Sequence, residues 1–190
     1  VRLGDLTKGY EHLSLALTFS RHQGAEYDVA LIQAGLAQCL GRLGRFGEAV
    51  ELNRESVSVW RHLGSDAALA EGLNDLGFHL YSLGDYEEAI GPLQEALVLS
   101  QDRGLREVEA VALVNLGELA RDLGLDDQAL EFLERGRRLA KEIGDRFLVA
   151  YSTEALGLVY RGQKRYGEAR DALRSAIAAA EQQGSDYQLG

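Results

Sequence analysis

Apolar and polar residues recur along this chain with a helical period that single glycines interrupt. In the segment EAIGPLQEALVLS, residues 88–100, the apolar and small residues are spaced three and four apart. This spacing places them on one face of an α-helix. A glycine follows each such segment, and glycine enters the left-handed conformation that ends many helices without a steric penalty. The pattern predicts a series of helices separated by glycine turns.

The glycines and the apolar residues align when the chain is written in rows of forty residues. One column holds Gly24, Gly64, Gly104, Gly144 and Gly184, and another holds Gly4, Gly44, Gly84 and Gly124. A small-residue column, Ala37, Gly77, Gly117 and Gly157, predicts close contact between helix backbones. Because a hairpin cannot bury both of its faces alone, successive hairpins must stack. The expected fold is all-α, a right-handed solenoid of stacked antiparallel helical hairpins with about nine helices and no strands.

Three short motifs resemble the tetratricopeptide repeat (TPR) family: LGLVY, LGDYEEA and QEAL. The family unit has about 34 residues, whereas the interval here is forty. This longer interval resembles the repeats of large bacterial transcription regulators and of Pins-like scaffolds. The chain has no Met and starts with Val, so we expect it to be a fragment of a longer protein. The resemblance implies a single TPR solenoid over 1–190. Its expected parts are a second helix at 5–24, full repeats at 25–64, 65–104, 105–144 and 145–184, and the start of another at 185–190.

Charge and cysteine content narrow the range of partners and compartments. The formal net charge is -10 and the isoelectric point is near 4.9, which argues against direct binding of nucleic acid or of an anionic membrane. The one cysteine, Cys39, excludes an intramolecular disulfide and fits a reducing compartment, so a cytoplasmic location is expected. No apolar run approaches the roughly 20 residues that a membrane-spanning helix needs.

Residues with catalytic or metal-binding chemistry do not form a recognisable motif. The four histidines, His12, His22, His62 and His79, are scattered, and no pair shows the spacing of a metal site. His79 shares a column with Leu119 and Val159, which favours a core histidine bonded to the backbone. The glycines stand singly, many of them at predicted helix ends, and form no phosphate-binding loop. We therefore expect no enzyme activity, no metal and no cofactor.

The resemblance implies that the first helix of each hairpin lines a concave face. Residues on this face outside the packing columns mix aromatic, aliphatic, amide and charged side chains, as recognition surfaces do. The predicted partner-binding residues are Glu71, Asn74, Phe78, Tyr81, Val114, Glu118, Arg121, Tyr151, Glu154, Leu158 and Arg161. The alternative is that Val111, Val114 and Leu158 close the superhelix. In that case Glu118 and Arg121 form a local helix pair worth about 0.3 kcal/mol.

Two arginines in one column suggest the chemistry of the partner. Arg121 and Arg161 occupy equivalent positions of adjacent hairpins, about 10 Å apart if the helices pack normally, and could hold carboxylates by bidentate hydrogen bonds. Phe78 and Tyr81 would supply an apolar anchor. The expected partner segment carries acidic residues next to an aliphatic or aromatic one. As surface residues, both arginines should be replaceable by Ala within about 0.5 kcal/mol of stability.

The sequence leaves two functions open. The first is a protein or peptide interaction module, the sensor or docking part of a larger bacterial regulator, with a partner from another protein or from the same full-length chain. The alternative is a small-molecule effector-sensing domain of a transcriptional regulator. Because both ends would expose faces that normally contact a neighbouring repeat, end-to-end self-association is also expected.

Overall fold

The chain folds as a series of nine α-helices with no strand in the part that the structure describes. The structure is a computed structural model that describes the backbone of residues 3–189 and the side chains of residues 6–182. The helices are α1 (Leu3–Gln23), α2 (Glu26–Arg42), α3 (Phe46–Leu63), α4 (Asp66–Leu83), α5 (Tyr86–Arg103), α6 (Arg106–Asp122), α7 (Asp126–Ile143), α8 (Arg146–Gly162) and α9 (Tyr166–Leu189). The predicted all-α fold of stacked helical hairpins is confirmed.

The helices belong to two compact units, Val1–Gly104 and Leu105–Gly190. In the first unit each helix from α1 to α5 packs against the next along the chain, and α2 also contacts α4. In the second unit α6 to α9 pack in the same sequential way, and α6 also contacts α8. The expectation of one uninterrupted array across the whole chain stays a prediction.

Glycine turns end most of the helices where the column pattern predicts them. At the end of α4, Gly84 has φ of 94° and is the left-handed cap. The Gly84 amide donates to the Tyr81 carbonyl at 3.0 Å, and the Asp85 amide donates to the Leu80 carbonyl at 3.0 Å. These bonds satisfy carbonyls that the end of the helix would otherwise leave without partners.

The column pattern fails at its outermost members and changes residue type at one turn. Gly4 and Gly184 lie inside α1 and α9, so the helix end expected at Gly184 and the new helix expected at 185–190 are not seen in the backbone. Glycine adopts helical dihedrals as well as left-handed ones, at a cost of about 1 kcal/mol relative to Ala. Lys164 replaces the glycine of its column and adopts φ of 61°.

The two helices of a hairpin approach closely at the small-residue column, as the sequence predicts. A Cβ added to Gly77 on α4 would lie 2.5 Å from Leu93 Cγ and 3.3 Å from the carbonyl oxygen of Ala89, both on α5. Gly117 on α6 has the same relation to Leu133 on α7, at 2.6 Å. Leu93 and Leu133 are both 0% exposed. The absence of a side chain at these glycines thus makes room for the leucines at the centre of each hairpin.

This contact generates a prediction for paired glycine substitutions in the first unit. Gly77→Ala should destabilise the chain by about 1–3 kcal/mol because the added methyl group overpacks the contact with Leu93. Gly47→Ala is the matched control, since a Cβ at Gly47 meets no atom within 4 Å, and it should stabilise by roughly 0.5 kcal/mol through helix propensity. Urea unfolding measures both, and equal effects of the two substitutions would contradict this account of the column.

Candidate functional site

The predicted partner-binding residues differ widely in exposure. Glu71, Phe78, Glu154 and Arg161 are exposed; Tyr81, Arg121, Tyr151 and Leu158 are half-buried; Asn74, Val114 and Glu118 are buried. Val114 is 0% exposed and belongs to the core cluster of the second unit. Its place at the surface was therefore predicted wrongly, and the alternative packing interpretation fits it. A valine in this column fills the core because its apolar side chain gains free energy by leaving water.

In the second unit, α6 and α8 share a polar cluster centred on a buried carboxylate. The Tyr151 hydroxyl donates a hydrogen bond to Oε2 of Glu118. The Arg121 guanidinium lies 3.5 Å from the other carboxylate oxygen of Glu118 and 2.8 Å from Oδ1 of Asp122. Burial raises the pKa of Glu118, while the Tyr151 hydrogen bond and the Arg121 charge act in the opposite direction. Glu118 is only 8% exposed, and the cluster provides its carboxylate with hydrogen-bond donors.

These contacts correct the expectation for the two arginines. The Arg121 side chain is 19% exposed and pairs with two carboxylates of its own helix, so replacing it would leave Glu118 poorly compensated. Breaking such a pair costs more than an ordinary surface change, so the expected limit of about 0.5 kcal/mol for the double substitution does not fit Arg121. Arg161 is exposed and forms no ion pair or hydrogen bond with the described residues. Of the two, Arg161 is the better candidate for contact with a partner.

In the first unit, the first helices α2 and α4 and the start of α3 line an open cavity of about 360 Å³. Two of the lining residues, Gln38 and Gly41, lie on α2 at positions equivalent to the candidates Phe78 and Tyr81. The residues lining the cavity are Gln38, Gly41, Arg42, Phe46, Asp75, Phe78 and His79. The volume falls at the small end of the range of about 300–1,000 Å³ that is usual for ligand pockets.

An acidic pair lies on α4 near this cavity, because Asp75 lines the cavity and Glu71 lies one turn earlier on the helix. The Gln38 amide donates to Oδ2 of Asp75 at 3.0 Å, and the Asn74 side chain also hydrogen-bonds to Asp75. Burial raises the pKa of Asp75, and these two hydrogen bonds act against the rise. Loss of hydration, with the Asp75 charge as the smaller cause, raises the pKa of Glu71. No cation of the described residues is paired with either carboxylate.

His79 forms the buried wall of the same cavity. It is 3% exposed, and its ring centroid lies 5.6 Å from that of Phe78 and 6.4 Å from that of Phe46. The ring occupies the space beside Gly41, where an added Cβ would lie 2.3 Å from Nε2. Burial lowers the pKa of His79 to about 4. The predicted core position is confirmed, but Nδ1 lacks the predicted backbone partner among the described residues.

Asp75 is the feature of this site that the sequence alone did not reveal. Its column also holds Gly35, Asn115 and Ala155, so an isolated carboxylate there was a usable signal. The position lies outside the columns that contain the predicted partner-binding residues. The alignment of the repeats therefore did not identify Asp75, which the structure places beside Gln38.

The described side chains contain no group of three or more His, Cys, Asp or Glu residues that could hold a metal ion. In the same part of the chain, no helix is both long enough and apolar enough to span a membrane.

The repeats define the class of protein. The tetratricopeptide repeat family matches residues 28–102 and 108–182. The chain therefore belongs to this family.

Known proteins that are similar to the chain in sequence or structure include kinesin light chain-related proteins and a Rap protein. It is 24% identical to Protein KINESIN LIGHT CHAIN-RELATED 3 of Arabidopsis thaliana over 181 residues, which are 92% of this chain and 28% of that protein. The chain thus spans less than a third of that relative. Its fold is similar to BtubC (BKLC) from P. vanneervenii, with a TM-score of 0.78, 22% identity and coverage of 95% and 75% of the two chains. It is also similar to a Rap protein complexed with competence and sporulation factor, with a TM-score of 0.72, 16% identity and coverage of 95% and 60%.

The shifted pKa of His79 generates a prediction for stability against pH. Between pH 6.5 and about 4 the unfolded chain binds a proton at His79 that the folded chain excludes, so stability falls as the pH falls through this window. The full effect is on the order of 3 kcal/mol. His79→Leu should remove it, since Leu119 shows that leucine fits this column.

Urea unfolding of the parent and His79→Leu at several pH values between 7 and 4 measures the difference. The carboxylates with a raised pKa, Glu71, Asp75 and Glu118, change stability with pH in the opposite direction, and they are common to both proteins. Parallel stability curves for the two proteins would contradict the assignment to His79.

Proposed function

We propose that the chain is an interaction module that binds a protein or peptide segment through exposed residues of its first helices. The observation that carries the proposal is the exposure of apolar and charged groups on these helices outside the packing columns. Phe78 is 36% exposed at the mouth of the α2–α4 cavity in the first unit. Arg161 and Glu154 are exposed on α8 in the second. Aromatic and arginine side chains are the residues that most often dominate the energy of interfaces.

The remaining candidates take supporting roles in this proposal. Tyr81 and Leu158 are half-buried and add apolar contact area beside the exposed groups. Asn74 and Glu118 are buried. Asn74 acts by orienting Asp75, and Glu118 acts by orienting Tyr151 and Arg121. Binding then depends on Glu71, Phe78, Tyr81, Tyr151, Glu154, Leu158 and Arg161, whereas the charge of Arg121 is paired with Glu118 and Asp122.

The proposed biological setting is the docking or sensor part of a larger bacterial regulator in the cytoplasm. The Rap protein complexed with competence and sporulation factor supports peptide-type partners for a fold of this kind. The proposal involves binding without catalysis, with no direct contact to nucleic acid or membrane. The partner segment comes from another protein or from the same full-length chain.

A small-molecule effector is the second candidate function. The specific observation in its favour is the α2–α4 cavity of about 360 Å³, which contains polar and aromatic groups suited to a small ligand. A thermal-shift screen of a metabolite collection tests this alternative. A ligand whose stabilising effect is lost in Phe78→Ala would favour it, and the absence of any such ligand would count against it.

End-to-end self-association is also part of the proposal. Leu15 and Phe19 on α1 are 71% and 67% exposed, and Ile177 on α9 is 58% exposed, so each carries apolar surface that another copy could cover. Light scattering at high protein concentration tests the association, and a strict monomer would contradict it.

Partner binding by the first helices predicts a selective loss of affinity in matched arginine variants. Peptides are selected from a random twelve-residue display library against the parent chain, and their affinity is measured by fluorescence anisotropy. Arg161→Ala should lower the affinity for acidic peptides about tenfold or more, because a charge-assisted hydrogen bond to a carboxylate is lost. The expected contact is with an acidic residue next to an aliphatic or aromatic one.

Arg174→Ala is the control, because Arg174 is also exposed and makes no ion pair or hydrogen bond with the described residues, but lies on the second helix α9. It should leave affinity within about twofold, well below the tenfold that 1.4 kcal/mol represents. An equal loss of affinity in both variants would show that the effect comes from the overall charge of the chain and not from a contact with Arg161. Unchanged affinity in Arg161→Ala, together with unchanged affinity in Phe78→Ala, would refute the proposed face.

A further inference from the structure

The α2–α4 cavity contains a carboxylate whose position is set by its neighbours and whose charge has no cationic partner. Asp75 is half-buried and accepts hydrogen bonds from the amides of Gln38 and Asn74. Glu71 lies one turn earlier on α4, on the same side of the helix. Amide donors orient a carboxylate but leave its charge uncancelled. The acidic pair therefore leaves room for an external cation.

The charges around the cavity are arranged along the helix axis. Arg42 also lines the cavity, and it lies one turn beyond Gln38 on α2, an axial distance of about 6 Å. Gln38 is level with Asp75, because the two are hydrogen-bonded. The negative charge in the lining of the cavity is thus at Asp75, with Glu71 one turn earlier on α4, and the backbone of Arg42 is about a turn away. The acidic end is therefore the more favourable position for a cation.

Aromatic rings beside Asp75 restrict the kind of cation. Phe78 lines the cavity and is 36% exposed, so the face of its ring can be reached by a ligand. A planar guanidinium stacks on an aromatic ring and binds a carboxylate with two parallel hydrogen bonds, whereas an ammonium group acts as a point charge. A metal ion is disfavoured because the described side chains do not supply three ligands in one group.

His79 is the second feature of the cavity that points to a ligand with hydrogen-bond donors. It lines the cavity at 3% exposure, and its Nδ1 has no hydrogen-bond partner among the described residues. Because the pKa of His79 is lowered to about 4, the ring is neutral at pH 7 and does not repel a cation. When the proton sits on Nε2, Nδ1 is an unpaired hydrogen-bond acceptor, and the atom itself is buried.

We propose that this cavity is a subsite for the guanidinium group of an arginine side chain in the bound partner segment. The guanidinium pairs with Asp75, with Glu71 adding attraction, and stacks on Phe78. The subsite rests on the proposed function, because it assumes that a peptide segment lies along the first helices. The subsite makes the chain selective for a partner that carries a basic residue as well as acidic residues. The packing of the repeats does not supply this specificity.

Titration with two matched peptides followed by backbone amide NMR shifts tests the subsite. The probes are acetyl-Gly-Gly-Arg-Gly-Gly-amide and the same peptide with citrulline, whose side chain has a similar shape and no charge. The arginine peptide should give saturable shifts at the amides of Gln38, Gly41, Asp75 and Phe78 at up to about 10 mM. The citrulline peptide should bind about tenfold more weakly or worse, because the charge-assisted bonds are lost.

Two substitutions remove one carboxylate each and provide the internal control. Asp75→Asn keeps the size of the side chain and can still accept the hydrogen bond from Gln38. It should lower the affinity for the arginine peptide about tenfold or more. Asp85→Asn makes the same charge change at the exposed start of α5, where the side chain makes no capping hydrogen bond, and should leave the affinity within about twofold. Phe78→Leu, at an exposed position, tests the stacking without relying on the fold of Asp75→Asn.

The outcomes separate this subsite from the proposed function. Equal binding of the two peptides, unchanged affinity in both Asp75→Asn and Phe78→Leu, or no saturable shift at the four amides would overturn the subsite. If library-selected peptides still depend on Arg161 in that case, the proposed function stands without the subsite. If the arginine peptide behaves as expected while selected peptides ignore all first-helix variants, the cavity binds guanidinium and the peptide-docking function fails.

Discussion

The structure depends on the close contact between the two helices of each hairpin, which requires a residue with little or no side chain at one point of the first helix. Gly77, Gly117 and Gly157 stand at this point, and a Cβ there would lie 2.5–2.8 Å from a leucine of the second helix. The first unit has Ala37 at the equivalent position of α2, with 0% exposure. A small error in side-chain volume is costly in such a contact because protein interiors are close-packed. The contact fixes which side of each first helix is buried in its hairpin.

Residues on the other side of the first helices are released from this constraint and can differ between repeats. On α4, Phe78 follows Gly77 directly and is therefore turned by about 100° away from the contact with α5. On α2, Gly41 leaves space that the His79 ring occupies, and the cavity beside Asp75 is lined by both helices. The family accounts for the hairpins, whereas these individual side chains determine what each unit can bind.

Helix positions and hairpin packing could be predicted from the sequence because they repeat. Each glycine turn and each small-residue contact occurs several times in the chain, so an alignment of its own repeats reveals them. The site could be predicted only in part because its residues differ from repeat to repeat. One column contains Asn74, Val114 and Glu154, of which the first two are buried and the third is exposed. The pairing of Arg121 with Glu118 and the position of Asp75 depend on neighbouring side chains rather than on the column.

The central claim is that a partner contacts the varying positions of the first helices and leaves the second helices uncovered. Photo-crosslinking with a selected peptide that carries benzoylphenylalanine at successive positions, followed by mass spectrometry of the digested complex, tests this claim most directly. The account predicts crosslinks on α2, α4, α6 and α8, including the segments that contain Phe78 and Arg161. Crosslinks concentrated on α3, α5, α7 or α9 would contradict it.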